Sequence, residues 1–273
     1  MTRVAVIIPC FNDGELAIEA VASVRESEPV EIVVVDDGST EPETLARLAE
    51  IERSGIAVVH RPNGGLGAAR MTGLAATHAP LVYVLDSDDL LEAGALAAMA
   101  DTLEAHPDVG FTWGDYVVFG DMLGSYRSPR EFLPWTLTYV NPYPVCSMFR
   151  REVLERVGGW EGWAYEDWDL WLRLVGRGIT GVATERAVYR RRLHGDSRLL
   201  AQARADHGRL FDEIRRRNAD VYARRDELRR SERPPLWKRA AYPVLFGPRA
   251  VVPVRVEALM IKAMLRFGGG LPG

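Results

Sequence analysis

Four short, mostly apolar runs alternate with helical patterns over the first hundred residues, and this alternation limits the fold more than any other feature of the sequence. The runs cover residues 4–8, 31–35, 56–59 and 81–85. Such runs between helices are typical of parallel strands, because parallel neighbours need a crossover connection. The pattern predicts an α/β fold in which helices flank a Rossmann-like, mostly parallel sheet.

Polar residues collect where these predicted strands end. The carboxyl ends of parallel strands meet at the edge of the sheet where ligands bind in such folds. A ligand site is therefore expected among the residues that follow the four strands, which are Pro9, Phe11 and Asn12, then Asp36 and Asp37, then Arg61 and Asn63, and finally Asp86, Ser87, Asp88 and Asp89.

Three carboxylates stand together after the fourth run, at Asp86, Asp88 and Asp89. Such charges repel one another unless a cation joins them, and carboxylate oxygens suit Mg²⁺ or Mn²⁺, which often also bind substrate phosphates. The cluster indicates a metal-bridged diphosphate. The alternative is that Asp86 or Ser87 caps the next helix while the other side chains are solvated.

Two further loops at this edge allow two interpretations each. The carboxylate of Asp37 suits a nucleobase imide or a ribose hydroxyl, but Asp36 and Asp37 also fit a simple turn. Phe11 could lie against a base or pack in the core. The glycine turn Asn63–Gly67 lacks the dinucleotide fingerprint, so NAD and FAD are not expected. Its glycines would let backbone approach a ligand, and Arg70 offers a guanidinium to a phosphate or carboxylate.

The second half of the sequence contains another acidic pair, Glu166 and Asp167, at the start of a predicted helix with Leu170, Trp171 and Leu174 on one face. The pair could stabilise the helix N-terminus through the helix dipole. It could instead supply a general base among tryptophans on the acceptor side of a cleft. His194 could be solvated or could be a further metal ligand.

Residues 117–145 read as an irregular segment rich in aromatic residues and proline. Aromatic faces can stack on the rings of a ligand, so the segment is expected to shape an acceptor site, although core packing is the alternative for each ring. Thr40 and Glu43 have the spacing of a capping box for the second helix.

Composition excludes several classes of protein. A net charge of −4 argues against a nucleic-acid binder. Two cysteines, Cys10 and Cys146, form no zinc spacing, and the N-terminus is too strand-like for a signal peptide. No apolar run is long enough to span a bilayer. Because the two cysteines form no disulfide framework, a cytoplasmic location is expected, with peripheral contact at the inner face of the membrane as an addition.

The chain resembles the inverting glycosyltransferases of family 2, which have the GT-A fold. The resemblance covers about the first 200 residues and lies in motifs that occur in the family's order: Val6–Asn12, Val33–Ser39, Asn63–Arg70, Leu85–Asp89, Phe149–Arg151, Gly158–Trp160, Glu166–Trp171 and His194. It implies a uridine or thymidine diphosphate sugar donor, a divalent cation (Mn²⁺ or Mg²⁺), a hydroxyl-bearing acceptor and inversion at the anomeric carbon.

The resemblance also assigns roles. Pro9, Phe11 and Asp37 match base-binding positions, and Asp86 and Asp88 match the donor ribose and metal positions, with Asp88 the strongest candidate for a direct metal ligand. Asp167 matches the catalytic base, Glu166 helps to orient it or the acceptor, and His194 matches a position near the metal or diphosphate. The other donor-side candidates lie in the same motifs and are Asn12, Asn63, Arg70 and Ser87.

Two functions from other classes compete with sugar transfer. A nucleotidyltransferase could share the sheet and the metal site but would need no base at Asp167. A non-catalytic sugar-nucleotide-binding module would keep Asp37 and lose the acceptor-side carboxylate, so the Glu166–Asp167 pair favours catalysis.

The predicted domain organisation is a catalytic domain over residues 1–197 and a helical, basic extension over residues 198–273. The catalytic domain divides into a nucleotide-binding half to about residue 115 and an acceptor-side half from 116. The extension is expected to pack on the catalytic domain or form a homodimer, with contact to an anionic membrane as the alternative.

Overall fold

The computed structural model describes residues 2–121, 123–161, 165–193 and 206–246, and nine strands in these ranges form one sheet. The strands are β1 (Val4–Cys10), β2 (Val30–Asp36), β3 (Ala57–His60), β4 (Leu81–Val84), β5 (Leu90–Leu91), β6 (Phe111–Gly120), β7 (Gly124–Tyr126), β8 (Met148–Arg150) and β9 (Gly181–Leu193). Their order is β3-β2-β1-β4-β8-β6-β9-β5, and β7 pairs with β6.

The first four strands pair in parallel, as the sequence predicts. β8 is antiparallel to both β4 and β6, whereas β6 and β9 are parallel again. The sheet as a whole is therefore mixed, and its parallel half carries the loops in which the candidate residues stand. The predicted α/β architecture with flanking helices is confirmed.

Eleven helices accompany the sheet in the part of the chain that the structure describes. They are α1 (Gly14–Ser23), α2 (Pro42–Arg53), α3 (Leu66–Ala76), α4 (Ala95–Ala105), α5 (Pro134–Leu137), α6 (Arg151–Val157), α7 (Glu166–Gly176), α8 (His207–Arg217), α9 (Ala219–Ala223), α10 (Arg225–Glu232) and α11 (Leu236–Leu245). None of these described helices is long and apolar enough to cross a bilayer.

The two faces of the sheet carry separate hydrophobic cores, because successive side chains of a strand point to opposite faces. Val6 and Ile8 of β1 belong to the core that includes residues of α1, α2 and α4. Ile7 between them belongs to the core that includes residues of α3, α6 and α7. Both faces of the parallel strands are thus covered, and their polar ends are left as the accessible edge.

The helices that follow residue 206 share the second of these cores. Phe211 and Ile214 of α8 are buried with Trp168 of α7, and Tyr242 of α11 stacks on Trp135 at a ring distance of 5.7 Å. The described part of the extension therefore packs on the core beside the sheet, while residues 247–273 lie outside the described ranges. The domain boundary near residue 197 stays a prediction.

Glu232, the last residue of α10, ties the extension to α5. Its carboxylate accepts hydrogen bonds from the backbone amides of Trp135 and Thr136 at 2.7 and 3.0 Å, and from the Thr136 hydroxyl at 2.6 Å. The first turn of α5 thus receives its cap from a side chain nearly a hundred residues further along the chain.

Two local predictions are wrong. Thr40 does not cap the second helix, because α2 begins at Pro42 and the Thr40 amide instead donates to Asn12 Oδ1. Residues 117–145 are not wholly irregular, since β6 extends to Gly120 and β7 and α5 follow. Aromatic rings of this segment, among them Trp135 and Tyr143, are buried in the core rather than left open for a sugar.

Candidate active site

The candidate site begins at the carboxyl ends of β1, β2 and β4. The backbone amide of Asp37 donates to the Cys10 carbonyl at 2.9 Å, and the Leu85 amide donates to the Ile7 carbonyl at 3.0 Å. These bonds extend the parallel ladders by one residue beyond the strands. The acidic loops after β2 and β4 therefore leave the sheet on either side of the end of β1.

Asp37 is buried and organises the glycine turn. Its carboxylate accepts hydrogen bonds from the amides of Gly64 and Gly65, at 3.0 and 2.7 Å, and forms an ion pair with Arg61. Gly38 is required beside it, because its φ of +78° is left-handed and a Cβ would lie 2.6 Å from the Asn63 nitrogen. In this structure Asp37, the carboxylate predicted to contact a nucleobase, binds the backbone of the glycine turn beside the expected ligand site.

Asp36 and Asn12 fix the neighbouring loop. Asp36 accepts from the Ser39 amide at 2.9 Å and pairs with His60 at 2.8 Å. Burial opposes the charged form of Asp36, but the hydrogen bonds from Ser39 and His60 outweigh it and lower its pKa. Asn12 Oδ1 accepts from the Thr40 amide at 2.9 Å, so this side chain is engaged with protein.

The remaining donor-side candidates differ in accessibility. Pro9 is buried within β1, and Ser87 is buried after β4. Phe11 is 47% exposed, and Asn63 is exposed on the glycine turn. Phe11 is therefore the ring at this edge that a planar base could contact without a rearrangement of the core.

The three carboxylates after β4 differ in how deeply they are buried. Asp86 and Asp88 are half-buried, whereas Asp89 is buried and accepts hydrogen bonds from the Arg192 amide at 2.9 Å and from the Cys146 thiol at 3.7 Å. Burial, and then the charges of Asp86 and Asp88, raise the pKa of Asp89 to about 8. The repulsion predicted for this cluster is thus present.

Ligand atoms of Asp86, Asp89 and Cys146 lie within 4.8 Å of one another, so these residues could hold a metal ion. Asp88 is not in this group, and His194 lies outside the described residues. Burial raises the pKa of the Cys146 thiol well above its ordinary value. A protonated thiol is a poor ligand for a hard cation, so the donor set fits Mg²⁺ or Mn²⁺ through its carboxylate oxygens.

Arg70 joins the predicted donor side of the site to the predicted acceptor side. This fully buried guanidinium donates to Asp86 Oδ1 at 2.9 Å and to Glu166 Oε1 at 2.8 Å. The sequence left open whether Arg70 meets a phosphate or a carboxylate, and in this structure both named partners are carboxylates. The acidic loop after β4 and the start of α7 are consequently fixed to one another.

Glu166 and Asp167 occupy the first turn of α7, beside tryptophans of the core. Burial raises the pKa of Glu166 to about 7, although the charge of Arg70 opposes this shift. Asp167 is half-buried, and desolvation is the largest cause of its raised pKa. Its Oδ2 accepts a hydrogen bond from Asn141 Nδ2 at 2.9 Å.

Sequence reasoning missed Asn141 and the inner pair Asp89–Cys146. Asn141 Oδ1 accepts from the Tyr143 amide at 3.0 Å, which fixes the amide group that faces Asp167. No local pattern marks this residue, because its role depends on a contact with a helix 26 positions away. Asp89 was visible in the acidic cluster, but its burial beside Cys146 depends on the order of the strands.

Comparison with known proteins shows the family of this chain. The model of the family described as Glycosyl transferase family 2 matches residues 5–158, more than half of the chain. The succinoglycan biosynthesis protein ExoU of Rhizobium meliloti is 40% identical over 101 residues, which are 36% of this chain and 30% of that protein. An N-acetylglucosaminyltransferase of Azorhizobium caulinodans is 34% identical over 122 residues, which are 42% of this chain and 30% of that protein.

Solved structures agree on the fold. The structure of S. aureus TarS in complex with UDP-GlcNAc superimposes with a TM-score of 0.69 at 18% identity, covering 96% of this chain and 79% of that chain. The TarS complex with UDP gives a TM-score of 0.57 at 19% identity, covering 95% of this chain and 83% of that one. The expected GT-A fold is confirmed.

The chain belongs to glycosyltransferase family 2. The matched regions make up only 30% of the length of each of the two curated relatives named above, so both contain much that this chain does not match.

Proposed function

We propose that the chain is a metal-dependent inverting glycosyltransferase that transfers a sugar from a UDP- or dTDP-sugar to a hydroxyl acceptor. The observation that carries this proposal is the Arg70 bridge, which fixes Asp86 of the donor side and Glu166 of the acceptor side on one guanidinium. Transfer needs both groups in one site, whereas a binding module needs only the first. The two TarS structures are complexes with UDP-GlcNAc and with UDP, which supports a uridine diphosphate sugar as the class of donor.

In this proposal Asp167 takes the proton from the acceptor hydroxyl as its oxygen attacks the anomeric carbon. Asn141 holds the carboxylate in place, and Glu166, fixed by Arg70, orients the acceptor beside it. A single attack from the face opposite the leaving diphosphate inverts the anomeric centre. The raised pKa of Asp167 makes it a stronger base than an exposed aspartate.

Asp88 and Asp86 would hold the divalent cation, with Asp89 behind them. A cation bound there supplies Lewis-acid stabilisation of the charge on the departing diphosphate. Phe11 and Asp37 are proposed to contact the base, and the amides of the glycine turn lie beside Asp37, where a nucleotide would approach.

A donor screen tests the proposal and contains the first prediction. UDP and dTDP are expected to bind about tenfold more tightly than ADP and GDP, because the imide N–H of a pyrimidine base can add a hydrogen bond to the Asp37 carboxylate, whereas a larger purine base in the same place does not present a donor at that point. Competition binding of the four nucleotides with Mn²⁺ measures the preference, and equal affinities would remove Asp37 from base recognition. Release of pyrophosphate from a nucleoside triphosphate and a sugar phosphate would instead identify a nucleotidyltransferase.

The second prediction concerns the metal. UDP affinity measured by calorimetry is expected to fall about tenfold or more when Mn²⁺ is replaced by a chelator, because the carboxylates then face the diphosphate without a cation between them. Asp88→Asn should reproduce most of this loss in the presence of Mn²⁺. Asp101→Asn, a change of the same type at an exposed surface ion pair, is the control that should bind normally. Equal affinity with and without metal would contradict the metal-bridge assignment.

A further inference from the structure

An apolar stripe lies on the outer face of α11. Leu236 is 76% exposed, Trp237 43% and Val244 72%, and Ala240 and Pro243 between them are exposed as well. Residues three, four, seven and eight apart lie on one side of a helix, so these side chains form one continuous surface. The opposite side of α11 is the buried one, with Lys238 and Tyr242 turned towards the protein. The helix therefore exposes an apolar face that the described chain does not cover.

An arginine pocket adjoins this stripe. Arg229, Arg230, Arg233 and Arg239 line a cavity of about 370 Å³ together with Pro234, Pro235 and Leu236. The left-handed conformation of Arg233, with φ of +51°, ends α10 and turns the chain through the two prolines into α11. This turn brings guanidinium groups from two helices and their connection to one cavity.

The positive charge of the arginine pocket is largely uncompensated. Arg229 pairs with Asp226 at 3.2 Å in an exposed contact. Arg230, Arg233 and Arg239 form no ion pair with any residue that the structure describes. Glu232, the acidic residue within this stretch, is turned away and bound to α5. Three guanidinium groups that have no ion pair among the described residues, beside exposed Leu, Trp and Val side chains, are the combination that binds anionic phosphates at an apolar boundary.

We propose that the arginine pocket and the apolar stripe together dock the protein on an anionic membrane surface. Lipid phosphates bind in the pocket, while Leu236, Trp237 and Val244 enter the headgroup region, where amphipathic aromatic rings such as Trp are favoured. This surface belongs to the extension and none of its residues has a part in the proposed transfer reaction.

Positive charge at this surface favours an anionic membrane over a second copy of the chain and over residues 247–273 of the same chain. A symmetric contact with a second copy would place the arginine pocket against its own equivalent, which like charges oppose. Residues 247–273 of the same chain carry Arg249, Arg255, Lys262 and Arg266 but only one acidic residue, Glu257. That segment is also positively charged and is disfavoured as a cover for the pocket. An anionic lipid surface complements both the pocket and this sequence.

Vesicle co-sedimentation of the full chain tests the proposal. The protein is expected to bind phosphatidylcholine vesicles that contain phosphatidylglycerol, to bind pure phosphatidylcholine weakly, and to lose binding as salt screens the charges. The variant R230S/R233S/R239S should bind the anionic vesicles about 10²-fold more weakly, because each basic residue near the surface contributes separately. R53S/R156S/R177S removes the same charge at three exposed positions outside the pocket and should bind as the wild type does.

The apolar stripe has its own measurement. Leu236→Ser with Val244→Ser should weaken vesicle binding by a factor that changes little with salt, because the lost contact is apolar. Melting temperatures of all variants show whether each of them folds. Equal binding to neutral and anionic vesicles, or equal loss in both triple variants, would overturn the proposal. A wild-type dimer that the pocket variant converts to monomer, without any dependence on lipid, would also overturn it and assign this face to contact between copies.

Discussion

Replacing Asp167 by Asn is expected to lower the turnover number for sugar transfer by about 10² or more, the usual contribution of a positioned general base. The two side chains have nearly the same size, but an amide does not take up a proton at neutral pH. Affinity for the donor and the metal should change little, because Asp167 is proposed to act on the acceptor alone. Steady-state transfer and donor titration on the same protein measure the two effects separately.

The pH profile supplies an independent measurement of the same role. A base must be unprotonated to act, so turnover should fall as the pH drops through the pKa of Asp167. Desolvation raises this pKa above 3.8, with Asp86 adding to the shift and the Trp168 amide and Arg70 opposing it. The acid limb should therefore lie above the range of an exposed aspartate, and it should be absent from the residual activity of the Asn variant.

Asn141→Ala is the companion variant for Asp167. It removes the 2.9 Å hydrogen bond but keeps the carboxylate, so turnover should fall by only about tenfold, the size of one lost hydrogen bond to a charged group. The acid limb should persist but move to higher pH. The hydrogen bond favours the charged form of Asp167, so its loss raises the pKa of this carboxyl.

Two outcomes would contradict the role of Asp167 as the base. Full activity of Asp167→Asn would leave Glu166 and Asp167 only a role in stabilising the N-terminus of α7. Lost donor affinity would instead place Asp167 in the nucleotide pocket.

Arg70→Met is expected to lower the free energy of unfolding by about 3–5 kcal/mol, the usual loss when one partner of a buried ion pair is removed. Arg70 is fully buried, and its removal leaves the buried Glu166 and the half-buried Asp86 without their countercharge. Urea unfolding measures the change. The double variant Arg70→Met with Glu166→Gln should recover part of the stability, because it also removes the charge left behind.

Arg47→Met provides the matched control for Arg70. Arg47 also bridges two carboxylates, those of Glu15 and Glu50, but all three side chains are exposed at the surface. Exposed ion pairs contribute little, so this variant should lose less than about 1 kcal/mol. Similar losses in the two variants would show that the buried bridge does not stabilise the fold more than a surface pair does.

Local sequence patterns predict the donor side of this molecule well. The four parallel strands, the glycine turn after β3 and the acidic loop after β4 all follow from runs of a few residues, because alternation and turn chemistry are local properties. Their meeting at one edge also follows, since parallel connections allow few arrangements. The sequence alone therefore assigns Asp37 and Asp86 to the same edge of the sheet.

The acceptor side is less predictable because it is built from distant contacts. β8 inserts between β4 and β6 against the order of the sequence, and this insertion buries Cys146 beside Asp89. The aromatic segment reads as irregular because its strand and short helix are stabilised by partners elsewhere in the chain, including Glu232. The contact of Asn141 with Asp167 likewise joins residues 26 positions apart.

Because Glu232 caps α5, one part of this site depends on a residue that is synthesised late. A ribosome makes the sheet strands first, and domains generally begin to fold as they emerge. The amides of Trp135 and Thr136, however, receive their acceptor from a residue that emerges almost a hundred positions later. A nascent chain that already holds β1 to β9 therefore still lacks the group that closes α5, the turn that precedes Asn141. The proposed donor-side loops are therefore synthesised before the residue that caps α5 on the proposed acceptor side.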